Sequence, residues 1–285
     1  AAAIAYIDEI QGNLAPAVAG LRRAVLLDPR NAHTWCQLAI AYSTGGQYGP
    51  ARQSLMTALA VDPRTAEAYA ILSQVELMAT GDAARALSVL DSAPADLESN
   101  ALLIEGRVEA LLVRHDFAGA TRYALGLEPG DGLSALQALE TKGGTLWLGG
   151  NRTGAAPFLS QAIDTLKEQV LTTTVPIQAY AELALSAARL GRLEDVQAYA
   201  KRVNAIAAAG PVPFDYEINP WLTLASAYAA IGDGSDAVAA LEKACPSACG
   251  LMLSGPTLRR DPTWDPIRTD PGFQALLATY ENGRG

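Results

Sequence analysis

The sequence predicts an all-α solenoid: about seven stacked helical hairpins over residues 1–250, then an Asp-Pro-rich strip and a capping helix over 251–285. Three observations carry this. The chain writes AVLLDPRN at 24–31 and ALAVDPRT at 58–65, placing Pro29 and Pro63 34 residues apart. Helix-breaking turns fall at Gly12, Gly46, Gly81, His115, Gly150, Gly191 and Gly232, with spacings of 34, 35, 34, 35, 41 and 41. Small and apolar residues recur at fixed offsets from those turns. Five residues after them stand Ala17, Ala51, Ala86, Ala120, Ala155, Val196 and Ala237. Nine after stand Leu21, Leu55, Leu90, Ala124, Leu159, Ala200 and Leu241.

Each unit has one physical reading. Apolar residues at three- and four-residue steps on both sides of the turn make two amphipathic helices. The turn residue takes the left-handed conformation that closes the first helix. Small residues five after and seven before the turn let the backbones approach; at the latter offset the third and fourth units depart, with Gln74 and Val108. Pro16 and Pro50 stand near the starts of second helices, and Pro29, Pro63 and Pro129 end helices. The repeated Asp-Pro-Arg is thus the seam between hairpins, which bury their remaining faces by stacking. The fifth and sixth units are seven residues longer, about two helical turns, which predicts longer second helices around 152–171 and 193–209. The prolines of AGPVPFDYEINP (209–220) forbid helix. After the repeats, three Asp-Pro steps carry Trp264 and Ile267, and GFQALLATY resumes as one helix that covers the end of the array.

The second unit resembles the tetratricopeptide repeat, with Trp35, Leu38, Ala39, Tyr42, Gly46, Ala51, Leu55, Ala58 and Pro63 at the signature places. The last unit follows with Trp221, Leu224, Ala225, Tyr228, Gly232, Ala237, Leu241 and Ala244. The resemblance spans roughly residues 1–250. It implies a right-handed superhelix whose first helices line a concave groove for a partner's extended or helical segment. Carried onto this chain, the groove is lined by Tyr6 and Glu9, by His33, Cys36, Ile40 and Ser43, and by Gln74 and Met78. Leu102, Glu105, Glu109 and Leu112 continue it, then Glu140, Gly144, Trp147 and Leu148, then Gln178, Leu185 and Arg189, and last Asn219, Leu222 and Ser226. Arg189 is its only basic member, so the expected partner is a protein or peptide segment of apolar, neutral or basic character, anchored on Trp147 and Tyr6. Trp147 fits equally well as a packing residue in the lengthened fifth unit. The strip containing Asp261, Pro262, Trp264, Asp265, Pro266, Arg268, Asp270, Pro271 and Phe273 resembles the tails of repeat arrays in bacterial Ser/Thr kinases, nucleotide cyclases and winged-helix regulators. That implies an interaction or sensor module of a larger signalling protein, placed outside the cytoplasm. The alternative is a freestanding scaffold or chaperone-like adaptor in secretion or envelope assembly.

Composition narrows the partners. A net charge of −9 argues against a nucleic-acid backbone or an anionic membrane, and no apolar run approaches the length of a membrane span. The opening AAAIAYIDEIQG reads as a helix entered part-way, so the chain is expected to be a piece of a longer polypeptide. No catalytic, cofactor or metal constellation stands out. The two histidines, His33 and His115, lie in separate hairpins. GGNRTGAA (149–156) has phosphate-loop glycines, but Ala155 and Ala156 stand where Lys and Ser/Thr are needed. In GDGSD (232–236), Asp233, Ser235 or Asp236 reads as a helix cap rather than a calcium ligand. Cys245 and Cys249 flank a proline bend, open to a disulfide, two free thiols or a metal site; Cys36 reads as a small buried or groove residue.

Overall fold

The computed structural model describes residues 14–127, 133–172, 176–210, 219–245, 250 and 252–281, and every regular element among them is helical. The first expected turn at Gly12, Pro129 and most of the proline loop lie outside these residues. The elements are α1 (Leu14–Leu27), α2 (Ala32–Thr44), α3 (Tyr48–Val61), α4 (Ala66–Thr80), α5 (Ala83–Asp91), a 3-10 turn η1 (Ala95–Leu97), α6 (Ala101–Val113) and α7 (Phe117–Leu125). They continue as α8 (Ala135–Leu148), α9 (Arg152–Thr172), α10 (Ile177–Arg189), α11 (Leu193–Ala209), α12 (Pro220–Ala230) and α13 (Gly234–Ala244). The chain closes with α14 (Gly255–Arg260), a second 3-10 turn η2 (Pro262–Ile267) and α15 (Pro271–Glu281).

The turns fall where the sequence places them. Gly46, Gly81, Gly150, Gly191 and Gly232 have φ between 66° and 84°, and His115 takes the same left-handed conformation at 59°. Glycine reaches that region without strain, whereas a β-carbon there crowds the following carbonyl. All seven residues five positions after the turns, from Ala17 to Ala237, have no exposed surface. Six are alanine and the sixth unit has Val196, small side chains suited to a close-packed line between paired helices. The long second helices also appear as read, α9 over Arg152–Thr172 and α11 over Leu193–Ala209.

The chain divides into two compact units, one of Ala1–Arg114, Ser247–Arg260 and Tyr280–Gly285, the other of His115–Pro246 and Asp261–Thr279. In the N-terminal unit α2 packs on α3 and α4 on α5, and the first helices α2, α4 and α6 touch in succession. Asn31 caps α2 by accepting from the Thr34 amide at 3.1 Å. The Asp-Pro-Arg seam is held by an aromatic strap: the Trp35 indole donates to the Pro29 carbonyl at 3.0 Å, and the Tyr69 hydroxyl to that of Pro63 at 3.1 Å. Tyr69 is therefore the counterpart of Trp35. It follows that Ser73, 1% exposed, fills the small-residue position to which counting back from Gly81 assigned Gln74. The third unit keeps the pattern with its first helix one residue out of step with its turn. Between α3 and α4, Arg52 grips the buried Glu76 through two hydrogen bonds of 2.6 and 2.9 Å.

In the C-terminal unit α8 packs on α9, α10 on α11 and α12 on α13. Pairing buries Leu146, Ala155 and Leu159 in one cluster and Ala184, Val196, Ala200, Val203 and Leu224 in another. The η2 turn packs on α12. Trp264 stacks on Phe273 with ring centroids 6.0 Å apart, both buried. Asp270 caps α15 by accepting from the Gly272 and Phe273 amides, and its carboxyl lies where Gly234 of α13 has no side chain.

Candidate functional site

The first helices of the N-terminal unit carry the expected groove residues, and their fates differ. His33 is exposed, with Nδ1 2.9 Å from Glu67 Oε2. Cys36, Ile40 and Ser43 have no exposed surface, and Met78 is 4% exposed. Burial, followed by the nearby Glu67 carboxylate, pushes the Cys36 thiol up to about 12. Gln74 is half-buried. On α6, Leu102 and Glu105 are exposed and Glu109 is half-buried.

The chain's own C-terminal segment packs at the C-terminal ends of α2 and α4. The Gly250 amide donates to the Thr44 carbonyl at 3.0 Å, and the Gly250 carbonyl accepts from the Tyr48 hydroxyl at 2.7 Å. Helix α14 packs on α4. There the Thr257 hydroxyl sits 3.6 Å from the Met78 sulfur, and Leu253 and Leu258 are buried. The Arg260 guanidinium donates to the Gly81 carbonyl at 2.7 Å. That carbonyl lies at the C-terminal end of α4, where the helix dipole favours a cation. Ser254 and Thr257 bond each other at 3.0 Å and cap α14. The sequence signals this occupant only weakly: LMLSGPTL is more apolar than a solvated linker, and nothing in it names the surface it covers.

In the C-terminal unit the structure brings Trp147 and Arg189 together. The Trp147 indole donates to the Arg189 carbonyl at 2.8 Å, and its ring lies 3.5 Å below the Arg152 guanidinium. Trp147 is 6% exposed and packs with Leu146, Ala155, Leu159 and Phe158. Arg189 crosses α8 at Gly144, where a β-carbon would stand 2.7 Å from its Nη1, and its Nε is buried without a hydrogen bond. Burial lowers its pKa to about 10, the Glu140 and Asp261 carboxylates partly offsetting this. Gln178 donates to Glu182 and to Thr223 of α12. Burial raises Glu182, and the bond from Gln178 opposes the rise. Asn219 is a structural clasp: it accepts from the Trp221 and Leu222 amides and donates to the Ala244 carbonyl at 3.0 Å. Tyr6 lies outside the described residues.

Asn151 accepts from the Gly154 amide and starts α9; Asp233 does the same for α13 through the Asp236 amide. Cys245 is disulfide-bonded and Cys36 is a free thiol, while Cys249 lies outside the described residues. Among the described residues, no three His, Cys, Asp or Glu side chains group as metal ligands, and no helix is long and apolar enough to cross a membrane.

Residues 32–65, which comprise α2, α3 and their seam, match the tetratricopeptide repeat family. No curated protein matches the chain. Among solved structures, the chain is similar to PilW, described as a widely conserved type IV pilus biogenesis factor. Identity is 18%, coverage is 88% of this chain and 94% of that one, and the TM-score is 0.39. It is also similar to a tetratricopeptide repeat protein from Parabacteroides merdae, at 16% identity, 99% and 91% coverage and a TM-score of 0.35. A third is MamA, at 17% identity, 72% and 95% coverage and a TM-score of 0.32. Tetratricopeptide repeats are protein-interaction modules, in which paired helices present side chains to a partner.

Proposed function

We propose that this tetratricopeptide-repeat chain is a protein-binding module that holds a partner's polypeptide segment on the faces of its first helices. One observation carries the reading: the C-terminal ends of the first helices α2 and α4 engage a polypeptide segment, and do so partly through the main chain of Gly250. Those bonds hold the segment's backbone, and the contacts that bury Thr257 and Leu258 select side chains. On α6, the next first helix, Leu102 and Glu105 are exposed near its N-terminal end and offer a separate surface to a partner. Its apolar and acidic character suits an apolar segment with basic residues.

Selection of short random peptides displayed on phage against the whole chain tests this. The reading expects binders that are lost on Leu102→Glu and on Glu105→Arg, and that are retained on Arg22→Ala of α1. Binders indifferent to both face substitutions would overturn it. The wider setting, a larger bacterial signalling protein, rests on the Asp-Pro strip from Asp261 to Pro271. Reading the coding sequence upstream checks it: a kinase, cyclase or winged-helix domain supports that setting, and a leader sequence alone supports a freestanding adaptor.

A further inference from the structure

We infer that the C-terminal ends of α2 and α4, with Tyr48 of α3, form a segment-binding site already loaded with the chain's own residues 250 and 252–260, and that an outside partner binds there by displacing them. The inference rests on the reading above and names the partner's chemistry: a glycine, a Thr-Leu pair in the middle, and an arginine ten residues beyond the glycine.

Each requirement comes from a contact. The Thr44 carbonyl is among the last of α2, which have no partner inside the helix; the Gly250 amide satisfies it at 3.0 Å. Any backbone amide supplies that bond, but only glycine fits, because a β-carbon at 250 would overlap the Ser43 carbonyl oxygen and stand 3.0 Å from the Tyr48 hydroxyl. In the middle, Thr257 reaches the Met78 sulfur, and Leu258 is wholly buried. At the far end Arg260 meets the Gly81 carbonyl, and it can lie there because position 81 has no side chain: a β-carbon would stand 2.9 Å from Arg260 Cδ.

The same geometry makes the occupant displaceable. Helix α14 has six residues, far below the length at which an isolated helix is stable in water, so it orders on the face and disorders when released. The segment is joined to α12 and α13 by the chain itself, and such a tether holds a ligand at high effective concentration without any tight contact. A partner with the same pattern therefore competes with a resident copy, and its apparent affinity falls by the fraction of molecules whose face is open.

A fluorescein-labelled peptide of residues 250–262, titrated by anisotropy into the whole chain and into its Gly250→Ala variant, tests the inference. Gly250→Ala unseats the resident segment through its clash with the Ser43 carbonyl and leaves the residues of α2, α3 and α4 unchanged. We expect the variant to bind the peptide about tenfold or more tighter than the parent. Peptides with alanine replacing Gly250 or Arg260 should lose binding to that variant, and hydrogen exchange over 252–260 should speed up in it. Equal affinity for both chains, no binding to either, or full binding of the alanine-bearing peptides would each overturn the inference. Should Gly250→Ala fail to fold, Tyr48→Phe removes only the hydroxyl that holds the Gly250 carbonyl, and the same comparisons apply to it. If phage-selected peptides still depend on Leu102 and Glu105 while this titration fails, the protein-binding reading stands and the resident-segment inference falls.

Discussion

Cys36 shows how much one position depends on its surroundings. In the sequence it is a small residue midway along a first helix; in the structure it is a free thiol with no exposed surface, pushed up to about 12 by burial and by Glu67. The folded state then holds a proton that the unfolded chain releases near the ordinary thiol value. The stability tied to this proton is complete below pH 9 and falls as pH climbs towards 12. Chemical denaturation measured across that range should give a slope for the parent that is steeper than for Cys36→Ala, by up to about 1.4 kcal/mol per pH unit. Identical slopes would mean that the thiol ionises freely. The residue type suggested burial, but the neighbouring carboxylate that strengthens the effect comes from α4, 31 positions along the chain. Trp147 is the opposite case. The sequence left it equally suited to a groove and to a packed interface, and the ring lies in a packed cluster with an arginine stacked over it.

Among the elements, the turns were the most legible feature, because positive φ admits few residue types. His115 is the exception that tests the rule: among the described residues it is the one non-glycine with positive φ, and its ring meets Phe117 edge-on at 5.6 Å. His115→Gly should raise stability by about 0.5–1 kcal/mol, since relief of the backbone strain outweighs removal of the aromatic pair. Gly191→Ala should lower stability by about 1 kcal/mol, and purely through the backbone, because nothing lies within 4 Å of the β-carbon it would add. Denaturant midpoints of the two variants check both signs; a destabilised His115→Gly chain would show that the aromatic pair dominates. Helix lengths were legible for a related reason: an insertion of two full turns leaves the buried stripe in register, so α9 and α11 grow without disturbing their partners. The register of α4 was less so. Counting from the turn missed by one residue, and only the bond from Tyr69 to the Pro63 carbonyl identifies the true counterpart of Trp35.

At the scale of the whole molecule, the C-terminal segment matters most. Its residues through Arg260 belong to the N-terminal unit and those from Asp261 to Thr279 to the C-terminal unit, so each unit completes its core with part of it. Leu253, Leu258, Trp264, Ile267 and Phe273 are all 3% exposed or less, and burying each contributes about 1.5–3 kcal/mol. A chain ending at Gly250 should therefore melt at least about 10 °C lower than the parent while keeping its helical signal at low temperature. Unchanged melting would show that the segment is peripheral to both cores.

The sequence alone determined the all-helical class, the hairpin repeat, the positions of the turns, the seams and the small-residue contact line. Each of these is a local property: a backbone conformation, a helical period or a missing amide hydrogen, legible wherever the residue stands. What occupies the first-helix faces was decided only by tertiary structure. Gly250 meets the Thr44 carbonyl across 206 positions, and Arg260 meets the Gly81 carbonyl across 179. Three of the four groups in these pairs are backbone amides or carbonyls common to almost every residue, and the fourth, the Arg260 guanidinium, is one of many arginines in the chain. They leave no pattern in the sequence, and the match exists only once both surfaces have folded.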